Sequence, residues 1–399
     1  MTDHENISLE ERNLRYAERL AEMIRCRTVS KKDGFEAEEF LKLRQVIETL
    51  FPRMTEAAER TILGKDAYLY KLKGRDESRN VMVMSHHDVV EAKGTWREKA
   101  FGGTIRDGKL WGRGTIDTKT PLFAEFTAIE ELLEEGFVFP VNVYLFSSHN
   151  EETGGDGALL ALDYFNEKKI CFDWIIDEGG AVIEPPMAGI DEKKPFIRKL
   201  HPEVRGMFEA MAPHMSFPMG FVFSHLNLFS GLLIKMMPKL NAAAGEMLGT
   251  GCTFRRLSTD EEGNCVGEAF LRCINDADFA KDLATLRTLA AKHAVEITVR
   301  DEDNEYYRPA SLESGGYRYI KKTVEESFPY AAAVPFILPA GTDARHFSNL
   351  SDAVIRFAPI DIDKQQYASV HGENENISVD KLHLAVDFYK RLLKNIGTR

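Results

Sequence analysis

The sequence predicts an α/β protein with a mostly parallel sheet, helices on both sheet faces and a smaller α+β domain inserted into it. Short apolar segments such as VMVMS (81–85) and VNVYLFSS (141–148) alternate with helical patterns, which is typical of strands buried on both faces. The 399 residues exceed the size at which one core stops growing. The proline- and charge-rich segment 184–195 marks a domain crossing. We predict a main domain formed by 1–193 and 309–399, with an insert at 194–308.

The elements of the main domain follow from the period of its apolar residues. The predicted helices, with apolar residues at three- and four-residue spacing, cover 14–26, 36–51, 121–136, 157–167 and 379–393. The predicted strands, which are short and apolar, cover 68–72, 81–85, 141–148 and 172–177. Pro121 lies at the start of its helix, where proline is favoured.

The insert shows a different rhythm. Strand-like patterns occur at 205–212, 267–274 and 295–300. Helical patterns occur at 221–238 and 276–294. The helix at 221–238 is apolar but too short and too interrupted to span a bilayer, so it is expected to be buried or to form a dimer surface.

Composition restricts the partners and the compartment. The net charge of −12 argues against nucleic-acid or anionic-membrane partners, which require a basic surface. The five cysteines form no CxxC pattern and suit a reducing compartment. The N-terminus lacks the regions of a signal peptide. We therefore expect a soluble, cytoplasmic protein.

Polar side chains gather where the predicted strands end, which is where open parallel sheets bind ligands. These residues are His86, Asp88, Asp117, Glu151, Glu152, Asp177 and His371. Imidazoles and carboxylates without thiolates favour a divalent ion such as zinc, cobalt or manganese. Three ionised carboxylates together with one hydroxide are balanced better by two divalent ions than by one.

Neighbouring residues in these motifs are expected to have different roles. Side chains two apart on a strand share a face, so His86 and Asp88 should lie together while His87 points away. Asp88 can then orient the histidine. Because adjacent glutamates do not easily bind the same ion, Glu152 is the expected ligand and Glu151 the expected general base.

The motifs SHHDVVE, GRGTIDTK, NEETGG, DEGG and HGENE resemble those of the co-catalytic metallopeptidases. That family includes aminoacylase, acetylornithine deacetylase, succinyl-diaminopimelate desuccinylase and glutamate carboxypeptidase. The wording of HHDVVE through GKLWGRG is most similar to the carboxypeptidase S branch. The order of the motifs matches as well, so the resemblance covers nearly the whole chain.

The resemblance implies a role for each site residue. Asp117 would bridge two ions, most often zinc, with His86 and Asp177 completing one site and Glu152 and His371 the other.

The inserted domain would act as a lid or dimerisation domain, with His214 stabilising an oxyanion. Arg345 and Gly341 in PAGTDARHF would hold a substrate carboxylate. Ala212 and Pro213 replace two glycines usual before the lid histidine, a departure that bears on substrate preference.

Two functions of different classes remain open from the sequence. The first is a metal-dependent hydrolase that cleaves a peptide or N-acyl amino acid beside a free carboxylate. Its expected mechanism is attack by a metal-bridging hydroxide, with Glu151 shuttling the proton. The second is a non-catalytic relative that binds a ligand or partner, since a fold does not fix a function. The complete set of ligands and base favours the hydrolase.

Overall fold

In the computed structural model the described residues are 7–32, 34–183, 202–240, 250–259, 265–272, 276–299, 309–336 and 341–397. They form two compact units. The larger takes in the described residues up to 183, together with 309–333 and 341–397. The smaller takes in the described residues of 202–299, together with 334–336. The predicted domain boundaries at 193/194 and at 308 lie outside the described residues.

A six-stranded sheet organises the larger unit. Its strands are β1 (Glu59–Leu63), β2 (Ala67–Leu72), β3 (Asp76–Met84), β6 (Val141–Ser147), β7 (Ile175–Asp177) and β10 (Val354–Arg356). Their spatial order is β1-β2-β6-β3-β7-β10. The β6–β3, β3–β7 and β7–β10 pairings are parallel, whereas β1–β2 and β2–β6 are antiparallel. The parallel strands therefore end at one edge, which is the edge predicted to carry the site.

Helices cover both faces of this sheet. The helices of the larger unit are α1 (Leu9–Ile24), α2 (Ala37–Leu50), α3 (Pro52–Ala57), α4 (Lys119–Glu134), α5 (Gly157–Lys168), α10 (Gly315–Ser327), α11 (Lys364–Ala368) and α12 (Leu382–Lys394). The core on one face includes side chains of α1, α4 and α12, and the core on the other face includes those of α5.

The alternation along β3 shows why this strand reads as continuously apolar. Val81 and Val83 pack in one core, and Met82 and Met84 pack in the other. All four side chains are buried, so a strand in this position needs apolar residues at every position. The predicted fold class, a mostly parallel sheet with helices on both faces, is confirmed.

A second, three-stranded sheet carries part of the site region. It contains β4 (Thr104–Arg106), β5 (Lys109–Trp111) and β11 (Asn376–Ser378) in the order β11-β5-β4. Its pairings are antiparallel. The β11–β5 pairing joins a segment near the C-terminus to the segment that leads into Asp117.

The smaller unit combines helices with a two-stranded ribbon. Its described helices are α6 (Pro202–Met211), α7 (Met219–Ser224), α8 (Leu226–Leu240) and α9 (Asp276–Ala291). Its described strands, β8 (Gly251–Thr259) and β9 (Cys265–Arg272), pair antiparallel. None of the helices in the described part of the chain has the length and apolarity needed to cross a membrane.

Two strand predictions in the insert are wrong. Residues 205–212 are mainly helical, because Val204, Met207 and Phe208 recur at helical spacing and are buried in one cluster. Residues 295–299 form no strand, and Val295 remains exposed. Residues 273–274 and 300, at the ends of two predicted strands, lie outside the described residues. An apolar run this short cannot by itself distinguish a strand from a helix.

A buried carboxyl group lies under the parallel strands. Glu125 on α4 is fully buried, and its carboxyl accepts a hydrogen bond of 2.8 Å from Ser85 Oγ. Burial raises the pKa of Glu125 well above its ordinary value, and the charge of Asp177 acts in the same direction. Between its ordinary and its raised pKa, Glu125 is therefore protonated in the folded protein and ionised in the unfolded chain.

We expect the stability of Glu125→Gln relative to wild type to increase steadily as pH rises above 4.5, the ordinary pKa of this group. Between the ordinary and the raised pKa the folded state binds more protons than the unfolded state, so wild-type stability falls with rising pH. Glutamine has no proton to release. Urea unfolding of the metal-free proteins at each pH measures the difference. The exposed Glu38→Gln variant should follow wild type, and parallel curves for Glu125→Gln would contradict the assignment.

Candidate metal centre

The site lies beyond the carboxyl ends of β3, β6 and β7. Residues 85–88 continue β3 in extended form, since His87 N donates to Ser148 O at 2.9 Å. A short 3₁₀ helix, Glu151–Thr153, follows β6. Glu178 follows β7 directly. Three adjacent parallel strands thus deliver their polar residues to one place.

The two adjacent histidines point in opposite directions, as predicted from strand alternation. His86 Nε2 lies 2.9 Å from Asp117 Oδ1 within the polar cluster. His87 stacks on Tyr68 at 4.3 Å between ring centroids, and its Nδ1 lies 2.8 Å from Ser147 Oγ. Burial lowers the pKa of His87 to about 3, so it remains neutral inside the core.

Asp117 lies between two histidines, one beside each carboxylate oxygen. Oδ1 lies 2.9 Å from His86 Nε2, and Oδ2 lies 2.9 Å from His371 Nε2. His371 Nε2 also lies 3.0 Å from Glu152 Oε2. The potential ligand atoms of the described residues therefore form two groups, and both groups include Asp117. Within each group the ligand atoms lie within 4.8 Å of one another. These groups are His86–Asp117–Glu178 and Asp117–Glu152–His371.

Asp88 connects the histidine to the paired glutamates. Its Oδ1 lies 3.3 Å from His86 Nδ1 and accepts a hydrogen bond of 3.1 Å from Glu151 N. Its Oδ2 accepts from Glu152 N at 3.1 Å and from Ser30 Oγ at 2.6 Å. A single buried carboxylate thus orients the imidazole and also fixes the backbone that carries both glutamates.

The first ligand group contains Glu178, whereas the sequence prediction named its neighbour Asp177. Asp177 is fully buried at the end of β7, and its Oδ2 accepts a hydrogen bond of 3.0 Å from Ala344 N. Burial raises the pKa of Glu178 well above its ordinary value, and the charges of Asp117 and Asp177 raise it further. Such crowding of like charges is typical of carboxylates that share a cation.

The backbone after β7 accounts for the difference. The β3–β7 register pairs Met82 with Ile175, so continued alternation would place Asp177 on the His86 face. The strand ends at Asp177, however, and Gly179 and Gly180 have φ values of 96° and 75°. Glycine is favoured at such positive φ values. The chain turns there, and Glu178 joins the cluster. The DEGG motif contained this residue, but its two glycines were the only signal of the turn.

The charges of the cluster fit divalent cations. Glu152 Oε1 is buried and has no hydrogen-bond partner among the described residues. Hydrogen bonds with Asp117 and Glu152 raise the pKa of His371 to about 10, so these two carboxylates favour positive charge beside the His371 ring. Imidazole nitrogens and carboxylate oxygens without thiolates suit zinc, cobalt or manganese.

Glu151 stands beside these groups and not within either of them. Its Oε2 lies 4.0 Å from His86 Nε2. Burial raises the pKa of Glu151 to about 8, an effect that the charge of His86 opposes and that of Asp343 reinforces. A carboxylate with a pKa near neutrality can both accept and return a proton.

Two further residues at the site did not emerge from the sequence as functional. The Glu375 carboxylate is fully buried and accepts hydrogen bonds from the backbone amides of Ile116 at 2.7 Å and Asp117 at 3.2 Å. It also forms an ion pair of 2.5 Å with the buried Arg113. Both residues belong to motifs noted in the sequence, GRGTIDTK and HGENE. Their connection depends on β11 pairing with β5, which spacing alone does not reveal.

Three predicted residues, His214, Arg345 and Gly341, lie outside both ligand groups. His214 is exposed at the end of a 3₁₀ helix, Ala212–His214, in the smaller unit. Arg345 lies in the 3₁₀ helix Asp343–Phe347, and its Nε donates to His346 Nε2 at 3.1 Å. Gly341 is close to Arg345, since a Cβ on this glycine would lie 2.6 Å from Arg345 Nη1. Arg345 and Gly341 are thus brought together.

A cavity of about 550 Å³ opens beside the second ligand group. Its lining includes Glu152, His371, Ser30, Lys93 and Glu373. This volume is within the range of about 300–1,000 Å³ that small-molecule sites occupy. The cluster is therefore accessible to a ligand of modest size.

The sequence of this chain matches the family model of peptidase family M20/M25/M40 over residues 82–395. The chain is also 26% identical to a probable carboxypeptidase S-like 2 from Dictyostelium discoideum, covering 96% of this chain and 85% of that protein. It is 24% identical to the N-fatty-acyl-amino acid synthase/hydrolase PM20D1 of Xenopus tropicalis, covering 89% and 80%.

Solved structures share the fold. The M20 family metallo-carboxypeptidase Sso-CP2 from Sulfolobus solfataricus superposes with a TM-score of 0.68 at 16% identity, covering 95% of this chain and 98% of that one. The Bacillus subtilis YXEP protein, described as a dinuclear metal binding peptidase of the M20 family, gives a TM-score of 0.55 at 11% identity, covering 96% and 98%.

The chain belongs to peptidase family M20/M25/M40. The resemblance noted from its motifs is confirmed, as is its class, a peptidase or amidohydrolase of a metallopeptidase family.

We expect His86→Ala to impair metal binding and His87→Ala to impair folding stability. His86→Ala should lower the number of divalent ions bound, because it removes a nitrogen from the cluster. His87→Ala should leave metal binding unchanged but destabilise the fold by about 2–4 kcal/mol, as other large-to-small core substitutions do. Metal analysis after desalting and urea unfolding measure the two effects. Equal loss of metal from both variants would disprove the assignment of the two faces.

Proposed function

We propose that this member of peptidase family M20/M25/M40 cleaves the amide bond of a small peptide or N-acyl amino acid beside a free carboxylate, using two divalent ions. The observation that supports this proposal is the position of Asp117, with one oxygen facing each of two ligand groups. A shared carboxylate of this kind is suited to holding a pair of ions a few ångströms apart.

Each ion would have its own protein ligands in addition to Asp117. His86 and Glu178 would hold one, and Glu152 and His371 would hold the other. When bound, such ions polarise a carbonyl oxygen and lower the pKa of water. Zinc is the favoured metal, with cobalt or manganese as alternatives, because the donors are borderline to hard.

The protein's own contribution begins with proton transfer by Glu151. Its Oε2 lies near His86 Nε2, and its raised pKa suits a group that removes a proton from water and returns it to the leaving amine. Asp88 accepts a hydrogen bond from Glu151 N and thereby holds this base in place. Positioning of this kind avoids reorganisation during the reaction.

Substrate recognition is proposed to involve groups outside the ligand cluster. Arg345 can pair with the substrate carboxylate through its planar guanidinium, and Gly341 leaves room for its approach. The smaller unit would form a lid carrying His214, an imidazole able to stabilise a developing oxyanion, and could support a homodimer. One relative is named as a carboxypeptidase S-like protein and another as an N-fatty-acyl-amino acid synthase/hydrolase. The candidate substrates of this protein therefore range from peptides to fatty-acyl amino acids.

We expect Glu151→Gln to lower kcat by about 10²- to 10⁴-fold, the usual contribution of a positioned acid–base group. Bound metal should stay at the wild-type level, because Glu151 lies outside both ligand groups. Hydrolysis of a panel of N-acyl amino acids and dipeptides by zinc- or manganese-loaded protein measures the effect. Wild-type rates in this variant would eliminate Glu151 as the base.

The two neighbours at the end of β7 can be separated by substitution. We expect Glu178→Gln to release one ion, because it weakens a ligand of the first group. Asp177→Asn should retain both ions, since its amide oxygen can still accept the hydrogen bond from Ala344 N. Metal content after desalting measures both variants. Loss of an ion from Asp177→Asn alone would restore Asp177 as the ligand.

A further inference from the structure

We infer that Glu375 is a positioning residue for the metal pair, acting through the backbone of Asp117 and through the segment that carries His371. The inference rests on the proposed two-ion function. Glu375 lies outside both ligand groups, so its effect must pass through the residues it holds.

The carboxylate of Glu375 is surrounded by donors from the loop that ends in Asp117. Oε1 accepts from the backbone amides of Ile116 at 2.7 Å and Asp117 at 3.2 Å. Oε2 accepts from Gly114 N at 3.1 Å and pairs with Arg113 Nη1 at 2.5 Å. Four donors therefore converge on one buried carboxylate, and one of them is the amide of the shared ligand itself. Hydrogen bonds to a charged acceptor are shorter and stronger than neutral ones.

Arg113 ties the same loop to the segment of His371. Its Nη1 pairs with Glu375, and its Nη2 donates to Gly372 O at 2.8 Å. The Glu375 carbonyl also accepts a hydrogen bond of 2.9 Å from Gly112 N. Displacement of the loop would therefore displace His371, and the reverse also holds.

The segment from His371 to Glu375 requires such support. His371 has a φ of 57° and Asn374 a φ of 60°, a left-handed conformation that is uncommon outside glycine, although Asn and His adopt it more readily than most residues do. Conformations of this kind persist where surrounding contacts determine them. Arg113 holds the chain at Gly372 O, directly after His371, and the Glu375 contacts hold it three residues further on, so both support the backbone that presents His371.

Asp117 and His371 are both needed for the Asp117–Glu152–His371 group, whereas the His86–Asp117–Glu178 group depends on Glu375 only through Asp117. Loss of the Glu375 carboxylate should therefore weaken the ion held by His371 more than the ion held by His86. Residues that orient metal ligands typically change affinity by about 10- to 100-fold when they are replaced. The difference between the two ions is the signature expected of a positioning residue.

The test compares metal-free wild type, Glu375→Gln and Glu131→Gln as full-length chains, each titrated with Co²⁺ alone. Visible absorption reports the coordination, and a competing chelator reports the two dissociation constants. Glu131 is a matched control because it is also a buried glutamate paired with a cation, Lys390 Nζ at 2.7 Å. It lies roughly 18 Å along α4 from Lys119, at the helical rise of about 1.5 Å per residue. Urea unfolding of each protein measures general destabilisation separately.

We expect Glu375→Gln to weaken the second Co²⁺ by about 10- to 100-fold, with a changed absorption spectrum, while Glu131→Gln keeps both affinities. If Glu375→Gln does not fold, Arg113→Lys weakens the same link, because lysine lacks the planar fork through which two separate guanidinium nitrogens reach Glu375 and Gly372 O. Two wild-type affinities in the folded variant, with only lower stability, would overturn the inference and leave the proposed function intact. A wild-type chain that binds fewer than two ions would instead overturn the two-ion function and the inference that rests on it.

Discussion

Mutual repulsion among the carboxylates at the ends of the parallel strands is the constraint on which the site depends. Asp117, Glu152 and Glu178 approach one another in two groups, with His86 and His371 between them. Without positive charge such an arrangement is costly in a partly buried place. The pKa values of Glu178 and His371 are both raised, which is the direction expected where positive charge among these carboxylates reduces the cost. Divalent ions would supply such charge, so folding, protonation and metal binding are linked.

A second layer of hydrogen bonds keeps these groups in place against that repulsion. Asp88 accepts from the amides of Glu151 and Glu152 while it contacts the His86 ring. Glu375 performs the corresponding task for the loop of Asp117. Each buried carboxylate accepts from several donors, which lowers the cost of its own burial. The sheet supplies rigid strand ends, and these two carboxylates convert them into fixed ligand positions.

The sequence predicted the elements of the larger unit well where long apolar periods and strand alternation agreed. The opposite directions of His86 and His87 followed from alternation alone, because residues 85–88 keep an extended backbone after β3 ends. The same rule fails at Asp177 and Glu178, where two glycines turn the chain at once. In the smaller unit the predicted strand 205–212 begins after Val204, the residue whose spacing to Met207 and Phe208 distinguishes the helix α6 from a strand.

By itself the sequence determined the fold class, the family and the imidazole and carboxylate side chains available to the centre, because apolar periods and ordered motifs are local properties of the chain. Only the tertiary structure decided that Glu178 joins His86 and Asp117, and that Glu375 bonds the loop of Asp117 across some 260 positions. Such choices depend on where the backbone turns and which segments pair, as β11 does with β5. These are energies of packing and hydrogen bonding between distant segments, and no local pattern encodes them.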